Sequence, residues 1–143
     1  MSRSIVILLA AIPLIASCSV YRAYDGSSRP SQSIAVIEVS NAMASRANIL
    51  YVDGKFRGIG FFSQYEFLPG EHELRVGMND PGYEGQEITT YFVAEAGKTY
   101  TIEGILDGEK IKGYFGQDVV IPNRWYVLIR EKGSNRVVNY PRR

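Results

Sequence analysis

Cysteine is nearly absent from this chain of 143 residues: Cys18 stands alone, so no disulfide can form within the chain. Histidine is equally scarce. With His72 the only imidazole, a zinc site built from several His or Cys ligands is excluded. Any Ser-His-Asp or Cys-His enzyme would have to use that single ring as its base, and no G-x-S-x-G elbow is present. Neither sign of charge dominates. Sixteen Lys and Arg face 15 Asp and Glu, a net charge of +1, which removes the general electrostatic reason to expect a nucleic acid partner. The apolar run from Ile5 to Ala16 holds 12 residues and contains Pro13. A bilayer-spanning helix needs about 20, so this run is too short to be one.

What is present at the N-terminus is the layout of an export signal: Arg3, the apolar run, then small residues before Cys18. Leu14-Ile15-Ala16-Ser17-Cys18 resembles the lipobox of bacterial lipoproteins, with an aliphatic residue at −3, small residues at −2 and −1, and Cys at +1. The resemblance implies that the Cys18 thiol takes a diacylglyceryl group, that cleavage falls between Ser17 and Cys18, and that the new amine can be acylated too. Each buried CH₂ contributes about 0.8 kcal/mol and one chain anchors only marginally, so two or three chains make the stable membrane tether. Removing residues 1–17 takes away Arg3 and no acid. The mature chain of 126 residues then carries 15 charges of each sign. Ser19 at +2 is compatible, by the same resemblance, with sorting to the outer membrane, facing either the periplasm or the cell surface.

Three segments follow from composition: a signal peptide over 1–17, a lipidated N-terminus and flexible tether over 18–33, and a β domain over 34–143. Residues 19–33, SVYRAYDGSSRPSQS, show no apolar period, and as a coil they would separate their ends by about 20–25 Å. From Ile34 onward the period is 2, with turn signals about every ten residues, the pattern of an all-β sandwich or barrel. Strands are expected over 34–39, 48–52, 55–62, 64–68, 71–78, 87–94, 99–106, 125–129 and 136–140, seven to nine in all. Asp53-Gly54 is type I′ hairpin chemistry and Pro69-Gly70 type II turn chemistry. Asp107-Gly108 reads as a further hairpin, 109–123 carries no legible pattern, and 41–47 has room for one helical turn. In 71–78, His72, Leu74, Val76 and Met78 share one face, opposite Glu71, Glu73 and Arg75.

The motifs YVDGK at 51–55, LPGEHELRV at 68–76, PGY at 81–83 and AGKTY at 96–100 resemble PEGA-type domains of small bacterial envelope lipoproteins. Pro69-Gly70-Glu71-His72 departs from the Pro-Glu-Gly-Ala that names the family. The resemblance implies a small antiparallel β-sandwich, PEGA-like or transthyretin-like, and brings no catalytic residues with it.

Candidate chemistry is thin. His72 alternates with core residues and reads as a structural strand histidine. Asn79, Asp80, Glu84 and Glu87 surround a turn but match no calcium-loop spacing, so no metal or other cofactor is expected. Aromatics are plentiful: ten Tyr, six Phe and one Trp. Phe61, Phe62, Tyr83, Tyr114 and Phe115 lie beside Gly-rich turns, where side chains escape the core, and they are the candidate partner-binding residues. The expected function is a non-catalytic envelope module docking a protein partner or a cell-wall polymer. The alternatives are a glycan hydrolase using a carboxylate pair and a carrier of a small apolar ligand.

Overall fold

A computed structural model describes residues 19–39, 45–83, 85–112 and 118–141, with only the backbone course given for 107, 109–112 and 118–123. Two five-stranded sheets pack face to face as a β-sandwich. The strands are β1 (Val20–Arg22), β2 (Ala35–Glu38), β3 (Ala47–Val52), β4 (Lys55–Phe56), β5 (Gln64–Phe67), β6 (Gly70–Met78), β7 (Glu87–Ala94), β8 (Thr99–Lys112), β9 (Asp118–Glu131) and β10 (Asn139–Tyr140). One sheet runs β1-β5-β2-β8-β9, the other β10-β7-β6-β3-β4. Pairing is antiparallel except at β1–β5 and β2–β8. The small, largely antiparallel all-β sandwich expected from the period-2 pattern is what forms, with ten described strands rather than seven to nine. The expected helical turn at 41–47 falls largely outside the described residues.

Alternation does the folding. On β6, His72, Leu74, Val76 and Met78 point inward, and on β7 Thr90, Phe92 and Ala94 do the same. Facing them are Ala35 and Ile37 of β2, Tyr65 and Phe67 of β5, Tyr100 and Ile102 of β8, and Trp125, Val127 and Ile129 of β9. Phe92 meets the Phe67 ring edge-on at 5.2 Å and the Tyr100 ring at 5.6 Å, geometries that add to the area term. The turn at Asp53-Gly54 is type I′ as expected, both residues taking positive φ (49° and 76°).

Two polar clusters close the edge opposite β1 and β4. The Asn139 amide donates to the Thr90 hydroxyl and the Val127 carbonyl, each at 2.9 Å, and accepts from the Ile129 N–H at 2.8 Å, so one side chain stitches β9 to β7. Glu131 accepts from Lys98 Nζ (2.6 Å), Ser134 Oγ (3.1 Å) and Arg136 Nη2 (3.2 Å). The Lys98 and Ser134 bonds are the main cause holding its carboxyl down to about 2.

Three expectations need correction. The stretch read as a flexible tether enters the fold: Val20–Arg22 pairs in parallel with Gln64–Glu66, and the Ala23 N–H continues to the Glu66 carbonyl. Asp107-Gly108 is no hairpin. β8 runs through it to Lys112, with only a register shift there, and pairs with β9 throughout. The returning strand at 55–62 stops at Phe56, because Gly58 and Gly60 take positive φ (89° and 120°) and turn the chain off the sheet.

Candidate functional site

The edge where β1 and β4 lie is built from the residues after Cys18. The Ser63 N–H donates to the Ser19 carbonyl at 3.0 Å, and the Ser19 hydroxyl donates to the Phe61 carbonyl. Two residues further, the Tyr21 ring sits 5.7 Å from both Phe62 and Tyr65, and Phe62 sits 5.9 Å from Tyr65. The three rings form one cluster on β1, β5 and the loop that leads into β5. Burial pushes the Tyr65 hydroxyl up to about 12, so it stays protonated.

Beyond Tyr21 the sheets part. A cleft of about 380 Å³ opens between the continuation of β1 and the β3–β4 hairpin, lined by Tyr21, Arg22, Tyr24, Asp25, Asp53 and Lys55 among others. Glu66 fixes its β1 wall by accepting from Tyr24 Oη at 2.5 Å and Arg22 Nε at 3.1 Å. The Arg29 guanidinium lies 5.5 Å over the Tyr24 ring. The walls therefore offer aromatic faces, hydroxyls and charges of both signs.

His72 stands behind the hairpin. Its Nε2 lies 2.8 Å from the Leu68 carbonyl and its Nδ1 2.7 Å from Asp53 Oδ2. A carbonyl and a carboxylate take up both ring nitrogens, so neither faces open space where a substrate could use it as a base. Asp53 Oδ1 also accepts from the Glu73 N–H at 2.9 Å. The pair locks the Asp53-Gly54 hairpin to the Pro69-Gly70 turn, the structural role expected for this histidine.

The five aromatic candidates do not converge. Phe61 is 78 % exposed. Phe62 is half-buried in the ring cluster. Tyr83 corrects the expectation outright: it is 7 % exposed and belongs to the core. The Pro81-Gly82 turn folds back, with the Tyr83 N–H on the Asp80 carbonyl at 3.1 Å and the Gln86 N–H on the Tyr83 carbonyl at 3.0 Å, which turns the ring inward. Tyr114 and Phe115, like Cys18, lie outside the described residues. Of the Asn79–Glu87 acids, Asp80 pairs with Arg46 at 3.3 Å and Glu87 with Arg75 at 2.8 Å, while Glu84 lies outside the described residues. Among the described residues no group of three His, Cys, Asp or Glu is placed to hold a metal ion.

The sequence offered Tyr21 and Tyr24 either to the membrane interface or to packing on the domain, and the structure packs Tyr21 on Phe62 and Tyr65 and bonds Tyr24 to Glu66. Sequence reasoning passed over Ile59 and Arg57. Ile59 is 96 % exposed, and the glycines on either side of it were the available signal. Arg57 is buried, and nothing in its local sequence distinguishes it from a solvated arginine.

Comparison of the chain with family models, curated proteins and solved structures gives no match. Among the described residues no helix is long and apolar enough to cross a membrane.

Proposed function

We propose that this chain is a non-catalytic, lipid-anchored envelope lipoprotein, acylated at Cys18, whose sandwich docks a cell-wall polymer. The lipobox at 14–18 and the PEGA-like turn motifs support the envelope setting. The observation that carries the docking reading is the cleft beside β1. Its 380 Å³ is the size of a small-ligand site, not of a protein face. Tyrosine faces with paired donors and acceptors suit a hydroxyl-rich chain. Among the described residues the space between the sheets is filled by Tyr65, Phe67, Phe92 and Tyr100, which favours the open cleft over an apolar interior as the binding site.

The test uses the detergent-solubilised mature protein with isolated cell-wall sacculi. Co-sedimentation is expected, weakened at least tenfold by Tyr24→Ala or Lys55→Ala with the melting temperature unchanged. No retention of the wild-type protein would refute the polymer, and capture of an envelope protein sensitive to the same substitutions would put a protein in its place. Release of soluble glycan, abolished by Asp25→Asn, would replace docking with hydrolysis. Mass spectrometry of the mature N-terminus checks the acyl groups on Cys18.

A further inference from the structure

The loop between β4 and β5 is apolar, rigid and aimed at solvent. Ile59 is 96 % exposed and Phe61 78 % exposed. Such a loop costs solubility and is normally found with its occupant. It is not loose chain. Arg57 is buried beneath it and donates to the Gly60 carbonyl, to the Ile49 carbonyl, and to Asn48 Oδ1 at 2.8 Å, while its guanidinium lies 5.1 Å over the Phe62 ring. The positive φ of Gly58 and Gly60 completes a tight turn that leaves Ile59 at its tip. Residues 54–65 carry two basic side chains and no acid.

The position of the loop selects the occupant. Ser19 is bonded to it directly, through its hydroxyl to the Phe61 carbonyl and through its own carbonyl to the Ser63 N–H. Cys18 is the preceding residue, and adjacent Cα atoms lie about 3.8 Å apart. The residue that would carry the acyl group is thus one step along the chain, about 3.8 Å between Cα atoms, from a residue bonded to the Phe61 carbonyl. From the strand pairing, Val20, Gln64 and Glu38 share one end of the sandwich. The β8–β9 hairpin leaves at that same end, since β8 runs parallel to β2 and continues past Thr101.

We infer that the Ile59–Phe61 loop is a second membrane contact, inserting into the interfacial region of the lipid surface beside the acylated Cys18. The inference rests on the lipoprotein reading above. Two attachments at one end orient the sandwich, with the loop end down and the Pro69-Gly70 end away from the membrane. Apolar side chains on a small rigid tip favour the headgroup–acyl boundary; the loop itself carries no acid, and Glu38 at the same end is paired with Lys132 at 2.7 Å.

The test reconstitutes the full mature protein in phosphatidylethanolamine–phosphatidylglycerol vesicles carrying acyl-brominated lipid. Phe61→Trp is the reporter, and Val93→Trp, exposed on β7 opposite Glu71 at the far end, is the control. Trp125, the only native tryptophan, is buried, and its signal is subtracted with the unsubstituted protein. Phe61→Trp emission should shift to the blue and lose at least half its intensity to bromine, while Val93→Trp is quenched less than a tenth. Equal, weak quenching at both positions with acyl groups present on Cys18 overturns the loop contact and leaves the lipoprotein reading standing. If mass spectrometry finds Cys18 unmodified, the lipoprotein reading fails, and the same chain added to preformed vesicles still decides the loop. Quenching at 61 that is abolished by Ile59→Ser supports it, and none overturns it.

Discussion

Replacing Arg57 with Met should cost the domain about 2–3 kcal/mol, although the residue belongs to a short loop with exposed neighbours. Its guanidinium donates to three acceptors. The Ile49 carbonyl belongs to a residue 1 % exposed, and leaving such an acceptor unpaired costs about 1–3 kcal/mol. Gly60 is exposed and Asn48 half-buried, so water replaces most of what those two lose. Methionine keeps an apolar stem but gives up the guanidinium's place over the Phe62 ring, and it removes the cost of holding a charge there, which trims the total. The melting temperature should fall by on the order of 10 °C. Urea unfolding followed by Trp125 fluorescence measures the loss. Arg57→Lys keeps the charge but not the fork, and should recover less than half of it. A loss below about 0.5 kcal/mol for Met, or full recovery with Lys, would show that the guanidinium is solvated and that the loop is not held from beneath.

Other outcomes follow from the same contacts. Glu131 is held down to about 2 against an ordinary 4.5. Its interactions therefore add stability above pH 4.5, and that contribution drains away as pH falls toward 2. Glu131→Gln should lower the melting temperature at pH 7, with the gap to wild type closing across that acid window in a pH series. Asn139→Ala breaks three bonds, two of them between the sheets, and should cost about 1.5–3 kcal/mol by urea unfolding. Tyr83→Ala should cost about 3–5 kcal/mol because the ring is core. Phe61→Ala should change stability by no more than about 0.5 kcal/mol, and thermal melts of the two variants side by side separate core from surface.

Legibility tracked how local the cause was. β7 spans Glu87–Ala94 as the alternation indicates, and β6 buries the face that its sequence displays. The Asp53-Gly54 turn needs only two residues tolerant of positive φ, and both are written in place. Asp107-Gly108 carries the same dipeptide, yet there the facing residues of β9 outvote it, and the chain stays extended with a register shift. β1 was hidden for a related reason. Three residues among Ser, Gly and Pro make no period, and their strand exists because β5, 44 positions away, offers an edge. Of the site, Phe61 was visible through its glycines. The cleft was not, because it is a gap between β1 and a hairpin some 30 residues away, and no local pattern records a gap.

The parallel pairing of β1 with β5 also has a mechanical meaning. If the membrane is joined to this chain through Cys18, every pull between envelope and bilayer enters the domain through an edge strand of three residues. So short a strand peels before the rest of the sandwich yields. Once β1 and the Ser19 contacts release, the segment back to Ser33 is free to extend, a leash of about 50 Å at full stretch. The short spacer that composition suggested would then exist only under load, holding the domain against the surface at rest and paying out slack when strained. Single-molecule pulling from residue 18 should record that early lengthening as a separate, low-force step ahead of global unfolding.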